Sequence, residues 1–251
     1  MEGVIILRKR HIAVLVIHGF SSSSIEMEEL VADLNLEPKF DVFAFTLSGH
    51  EDGKLKGVSK EDWKDDVEEW MMYLLSQGYR KVYLVGHSMG AMLAVELAVK
   101  YKQVKKLVLV SPGVYCGSFL QMAEDIAHPI KAIKEEDSSY QNMIRKLFRV
   151  NRKAHKELRK LIAEERPLLD EVTCPVLIMQ GDKDEVVPKK ASYYAYRHVK
   201  SKKKELIIVE GGRHNLLLGS RRRDCIHYIH KYLKGGLSWI LRKRVKKSKM
   251  N

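Results

Sequence analysis

Short runs of β-forming, apolar residues alternate along this chain with stretches of helical periodicity, and that alternation admits few folds. The strand-like runs fall at 4–7, 12–17, 40–46, 81–86, 106–111, 174–180 and 205–210. Between them, helical patterns occupy 25–34, 60–77, 89–102, 189–200 and 220–233. Strands separated by helices pack as a mostly parallel sheet with helices on both faces, an α/β architecture. The run Ile12 to Ile17 (IAVLVI) has no polar alternate, so both of its faces are expected to be covered. The rhythm breaks once, between Ser111-Pro112-Gly113 and Cys174-Pro175, where helix formers dominate (AEDIAHPIKAIKEED, YQNMIRKLFRVNRKAHKELRKLIAEE). This stretch, 113–173, is expected to be a helical cap inserted over the C-terminal ends of the strands, walling a pocket and moving to admit a ligand. Met122, Ile126, Ile130, Met143, Leu147 and Phe148 recur on it at helical spacing. Most of them are expected to glue the cap to the body and a minority to touch a ligand. A chain of 251 residues, 45% hydrophobic, can build a full core, and one domain over 1–251 accounts for all of it.

The chemistry lies at the strand ends. Gly86-His87-Ser88-Met89-Gly90 stands between the β-type run Lys81 to Val85 and the helical run Ala91 to Lys102. The pattern G-x-S-x-G alone would arise by chance in about one chain of this length in ten. Its setting gives it weight: a strand-to-helix turn that sharp strains the serine, and glycine on either side lets strand and helix approach. Ser88 Oγ would then be exposed at a strand end, with the Met89 N–H at the helix start available to an anionic oxygen. A serine nucleophile needs an oriented base. After the run Pro175 to Gln180 comes a carboxylate-rich turn, Gly181-Asp182-Lys183-Asp184-Glu185. After Glu205 to Glu210 comes Gly211-Gly212-Arg213-His214. Serine, acid and histidine therefore follow in that order, each just past a strand. Past Ile17, His18-Gly19-Phe20-Ser21 offers the Phe20 N–H as a second oxyanion donor beside Met89.

The segments HGF at 18–20, GHSMG at 86–90, GDKDEVVP at 181–188 and GGRH at 211–214 resemble the serine α/β-hydrolases. Within them the chain is similar to the small bacterial carboxylesterases and monoacylglycerol lipases, over about Ile12 to Leu233. Leu47-Ser48-Gly49-His50-Glu51-Asp52-Gly53, followed by Val58, Ser59 and Asp62-Trp63, adds to the likeness. The resemblance implies an α/β-hydrolase fold and a triad of Ser88, Asp184 and His214, with Asp182 as the other candidate acid. Where the family often has Gly-His-Gly, this chain has Gly49-His50-Glu51, a departure that bears on the pocket mouth. The implied reaction is hydrolysis of short to medium acyl esters or monoacylglycerols through an acyl-enzyme, with no organic cofactor and no metal. Amide or peptide-terminal hydrolysis, acyl transfer and peracid formation use the same triad. A non-catalytic hydrolase-like module that docks on membranes is the alternative from another class.

The other histidines lose to His214 on position. His227 and His230 fall in the last helix and His128 and His155 in the cap, where exposed placement is expected; His11 and His198 flank elements far from the strand C-termini, and His87 sits inside the turn. His50 lies near the mouth beside Glu51 and Asp52, but adjacent residues rarely ligate one ion. Cys116, Cys174 and Cys225 show no paired or metal spacing and read as reduced thiols of a cytoplasmic protein. The N-terminus lacks a secretory pattern, and no segment reaches the length of a transmembrane helix. The net charge is +13, and six of the cations crowd into the last ten positions (Arg242, Lys243, Arg244, Lys246, Lys247, Lys249), after Leu237, Trp239, Ile240 and Leu241. An apolar cluster joined to a polybasic stretch, at 237–251, suits peripheral contact with anionic membrane, and a solvated tail is the plain alternative. No folded nucleic-acid-reading motif accompanies the charge.

Overall fold

The computed structural model describes residues 11–51, 55–115 and 150–235. Six strands form one sheet: β1 (Ile12–Ile17), β2 (Phe40–Ala44), β3 (Val82–His87), β4 (Val104–Val110), β5 (Val176–Gly181) and β6 (Lys204–Val209). Every neighbouring pair is parallel, in the order β2-β1-β3-β4-β5-β6. Because the strands run the same way, their C-terminal ends share one edge. The chain moves outward from β1 to β2, then crosses back over β1 to β3, so the switch of direction falls between β1 and β3. Ligands of open α/β sheets bind in the crevice at such a point.

Alternation along each strand divides the core into two layers. Ala13, Leu15 and Ile17 of β1 join Leu84, Leu107, Leu109 and Ile178 on one face. That face is covered by α2 (Lys60–Ser76), α3 (Met89–Lys100), α4 (Arg152–Glu165) and α5 (Lys190–His198). Val14 and Val16, with Val85, Val108 and Met179, face the other way against α1 (Glu28–Leu34) and α6 (Arg222–Lys234). Local signals set the helix ends. Ser59 and Asp62 form a reciprocal capping box at the start of α2, and Gly235, at φ 108°, terminates α6 in the left-handed region.

Boundaries differ from the sequence reading where side chains intervene. The helix expected at 25–34 divides into a 3₁₀ turn, Ser24–Met27, and α1. Thr46 Oγ1 holds the Ser24 N–H at 3.2 Å and the Ser24 hydroxyl at 2.9 Å, pulling that first turn toward the end of β2. For the same reason β2 ends at Ala44 rather than 46, since Thr46 faces the turn and the β1 pairing stops at Val16. Of the insertion expected at 113–173, residues 150–173 are described beyond its first three: α4, then a 3₁₀ turn, Arg166–Glu171. Asn151 caps α4 through the Lys153 N–H. The face of α4 bearing Ala154, Leu158, Leu161 and Ile162 is buried. His155 corrects an expectation: it is buried rather than exposed, because its ring lies 5.1 Å from the Phe20 ring. The strand expected at 4–7, the apolar positions from Met122 to Phe148, His128, Cys116 and the tail at 237–251 lie outside the described residues. Cys174 and Cys225 are free thiols. Among the described residues no helix is long and apolar enough to cross a membrane.

Candidate active site

At the end of β3 the backbone turns abruptly. Ser88 has φ 53° and ψ −112°, a conformation that costs a non-glycine residue about 1–3 kcal/mol and persists only where the surroundings enforce it. Enforcement is visible: the Ser88 N–H donates to Val110 O at 2.9 Å, and Ser88 O accepts the N–H groups of Ala91 and Gly113, each at 3.1 Å. Glycine is required on both sides by close approach. A Cβ at Gly86 would overlap the backbone of Gly90 and Ala91, and one at Gly90 would overlap the carbonyl oxygens of Ile17 and His18.

The same packing brings the β1 turn to the serine. A Cβ on Gly19 would stand 3.2 Å from Ser88 Cβ, so Phe20 follows directly where the backbone passes the nucleophile. Met89 opens α3, whose first N–H groups have no partner within the helix. Neither the Phe20 nor the Met89 N–H donates to any of the described residues.

His214 arrives from the loop after β6. Its Nε2 lies 3.1 Å from Ser88 Oγ, and its Nδ1 lies 3.0 and 3.1 Å from Asp184 Oδ2 and Oδ1. A carboxylate only accepts, so the imidazole proton sits on Nδ1 and the Nε2 lone pair faces the serine hydroxyl. Asp184 is itself anchored: Oδ1 accepts the N–H groups of Val186 (2.9 Å) and Val187 (2.8 Å), and Oδ2 accepts from Gln180 Nε2. Asp182 turns the other way and accepts the Gly211 N–H at 2.7 Å. The structure thus places Asp184, not Asp182, against the histidine. The two loops touch through glycine, since a Cβ at Gly181 would stand 2.8 Å from Arg213 O. Behind the ring, His214 O accepts from the Ser111 hydroxyl at 2.8 Å and from His87 Nε2 at 3.2 Å.

Electrostatics favour the imidazolium at His214 over the histidines around it. Burial lowers the His214 pKa, but the charge and hydrogen bond of Asp184, with the charge of Glu185, outweigh it and leave it raised above 6.5. Burial, with His214 nearby, pushes His87 down to about 3. Burial and His50 do the same to His18, also to about 3. His18 is a neutral strut: Nδ1–H donates to Gly19 O at 2.8 Å and Nε2 accepts the Leu47 N–H at 2.9 Å. His50, expected near the mouth, is buried between His18 (4.9 Å between centroids) and Trp63 (5.9 Å).

Sequence reasoning missed the supports His18, His87, Ser111 and Gln180. Gln180 left a signal: it is the polar residue of the apolar run PVLIMQ, and a buried amide in a central strand needs partners. His87 left none, because its partner is a carbonyl far along the chain.

A family model described as Hydrolase_4, serine aminopeptidase S33, matches residues 8–220. The chain is 24% identical over 221 residues to a carboxylesterase of Bacillus subtilis (strain 168), covering 86% of this chain and 89% of that one. It is 24% identical over 222 residues to a thermostable monoacylglycerol lipase of Bacillus sp. (strain H-257), covering 81% and 82%. Among solved structures, one from a study of two metagenome-derived lipolytic enzymes superposes with a TM-score of 0.72 at 22% identity, covering 89% of this chain and 94% of that one. The monoacylglycerol lipase of Paleococcus ferrophilus gives 0.68 at 17% identity, covering 88% and 93%.

Proposed function

Since the chain belongs to the serine aminopeptidase S33 (Hydrolase_4) family and is a serine hydrolase of the α/β-hydrolase fold, we propose that it cleaves short to medium acyl esters or monoacylglycerols through an acyl-enzyme on Ser88. The observation that carries this reading is the single imidazole of His214, 3.1 Å from the Ser88 hydroxyl and 3.0 Å from the buried Asp184 carboxylate.

Ser88 Oγ adds to the ester carbonyl as its proton passes to His214 Nε2. Asp184 holds the tautomer and stabilises the imidazolium. The Phe20 and Met89 N–H groups receive the oxyanion of the tetrahedral intermediate. Collapse returns the carbonyl, breaks the bond to the alcohol oxygen and delivers the His214 proton to it. A water molecule, deprotonated by the now neutral His214, adds to the acyl-Ser88 carbonyl; the second collapse releases the acid and returns the proton to Ser88. In this reading α4, in the described part of the insertion, walls the acyl side, which the contact of His155 with Phe20 supports.

A panel of p-nitrophenyl esters from two to sixteen carbons, run beside aminoacyl p-nitroanilides, tests the proposal. Ester hydrolysis that peaks at short or medium chains and vanishes in Ser88→Ala is expected. Turnover confined to the anilides, or silence across the panel, overturns it.

A further inference from the structure

One carboxylate that the reaction above does not use joins the two loops that must act together on the carbonyl. Glu26 lies in the 3₁₀ turn Ser24–Met27. Its Oε2 accepts the Ser22 hydroxyl at 2.7 Å and the Asn215 Nδ2–H at 3.1 Å. Ser22 closes the turn begun at Gly19, donating its N–H to Gly19 O at 3.2 Å, and stands two residues past Phe20. Asn215 adjoins His214. Its amide orientation is fixed independently, because Oδ1 accepts the Leu217 N–H at 3.3 Å, leaving Nδ2 to face Glu26. Ser22 and Asn215 are 8% and 9% exposed, so both donors are largely withdrawn from water and need a protein acceptor.

The turn that Ser22 closes is under strain. Ser21 has φ 55°, in the left-handed region that non-glycine residues avoid, and such a conformation must be held by its neighbours. Glu26 is well placed to hold it, being fixed in turn through Ser24 and Thr46 at the end of β2. It is also the first rung of a polar seam that runs along α1, α6 and the turns flanking them. Further along, Glu29 pairs with Arg222 at 2.8 Å, Asp33 with His230 at 2.6 Å and Glu37 with Lys234 at 2.6 Å. The rung at Glu26 includes two neutral donors, one from each loop of the site.

We propose that Glu26 is a positioning residue for ester hydrolysis: by binding Ser22 and Asn215 on one oxygen, it fixes the oxyanion turn relative to the His214 loop. This rests on the reading of Ser88, Phe20 and Met89 given above. Those loops follow β1 and β6, which three strands separate in the sheet, and catalytic geometry tolerates errors of only about 0.5 Å. The interaction stabilises the placement of the Phe20 N–H against the oxyanion, so its loss falls on the transition state and not on bound ester.

The test compares the parent with Glu26→Ala and Glu26→Gln on p-nitrophenyl butyrate, per active site titrated with diethyl p-nitrophenyl phosphate. For Glu26→Ala, kcat should fall about 10- to 100-fold with KM within about threefold, and the Ki of an alkyl trifluoromethyl ketone, which forms an oxyanionic hemiketal on Ser88, should rise by the same factor. Glu26→Gln keeps an acceptor oxygen for two neutral donors and should recover to within about threefold of the parent. Adding Asn215→Ala to Glu26→Ala should cost little more than Glu26→Ala alone, because the two share one interaction. A Glu26→Ala enzyme with unchanged kcat and Ki but a lowered melting temperature would make the carboxylate merely structural and overturn the proposal. So would Glu26→Gln as impaired as Glu26→Ala. If the parent itself fails to hydrolyse the ester, or Ser88→Ala retains activity, the ester-hydrolase reading fails instead.

Discussion

Gly90→Ala separates two effects of opposite sign. Gly90 is the second residue of α3, and by helix propensity alone alanine there would stabilise the protein by up to about 1 kcal/mol. The packing says otherwise. A Cβ at this position overlaps the carbonyl oxygens of Ile17 and His18 and stands 2.8 Å from the Ile17 carbonyl carbon. Carbon atoms in contact prefer about 3.5–4.0 Å, so α3 must retreat from β1 by roughly 1 Å. Overpacking against backbone costs about 1–3 kcal/mol, and no flexible side chain here can yield. The net effect is a loss of roughly 1–2 kcal/mol, or about 2–8 °C in melting temperature for a chain of this size. The retreat carries Ser88 and the Met89 N–H away from the Phe20 turn, and a misplacement of about 1 Å lowers catalytic rates by about 10²-fold. Thermal unfolding and kcat on p-nitrophenyl butyrate measure both. A variant as stable as the parent or more so, with unchanged kcat, would refute the claim that glycine is kept at position 90 for close approach.

Three further outcomes follow from the site and its surroundings. The acid limb of kcat/KM should have its inflection above pH 6.5, because the base works only when neutral and the His214 pKa is raised; an inflection below 6.5 would contradict the dominance of Asp184 over burial. Asp184→Asn should lower kcat by about 10⁴-fold, and the inflection of its residual activity should move down, since only the charge of Glu185 then opposes the effect of burial on His214. On the far side of α3, burial pushes the Glu165 carboxyl up to about 7 despite the Lys64 ammonium 2.9 Å away. Between pH 4.5 and 7 the folded chain therefore holds a proton that the unfolded chain has released, and stability falls as pH rises. Glu165→Gln removes that titration, so its melting temperature relative to the parent should increase from pH 5 to pH 8; a constant difference would show that Glu165 does not titrate in that window.

Much of this arrangement was legible in the sequence for physical reasons that differ from part to part. IAVLVI reads as a doubly covered strand because no residue in it tolerates water on either face, and it is β1 over the same six residues. The spacing of Gly86, Ser88 and Gly90 was informative because each glycine answers a backbone contact within a few residues or across one neighbouring strand. Where a residue's role is set by a distant partner, the sequence was silent. His155 looked like a surface histidine on a basic helix, yet Phe20, far along the chain, buries it. Between Asp182 and Asp184 the resemblance already favoured Asp184; spacing alone does not make that choice, which in the structure goes with the Val186 and Val187 N–H groups that hold the Asp184 carboxylate.

The central claim is that Ser88 is the nucleophile and that His214 activates it. Stoichiometric reaction with diethyl p-nitrophenyl phosphate, followed by peptide mass spectrometry, tests it most directly. One equivalent of p-nitrophenolate should be released per chain, with the diethylphosphoryl group on Ser88 and esterase activity lost in proportion; Ser88→Ala should take no label and His214→Ala should take it far more slowly. Label on another residue, or full esterase activity in protein whose Ser88 is completely modified, would contradict the account.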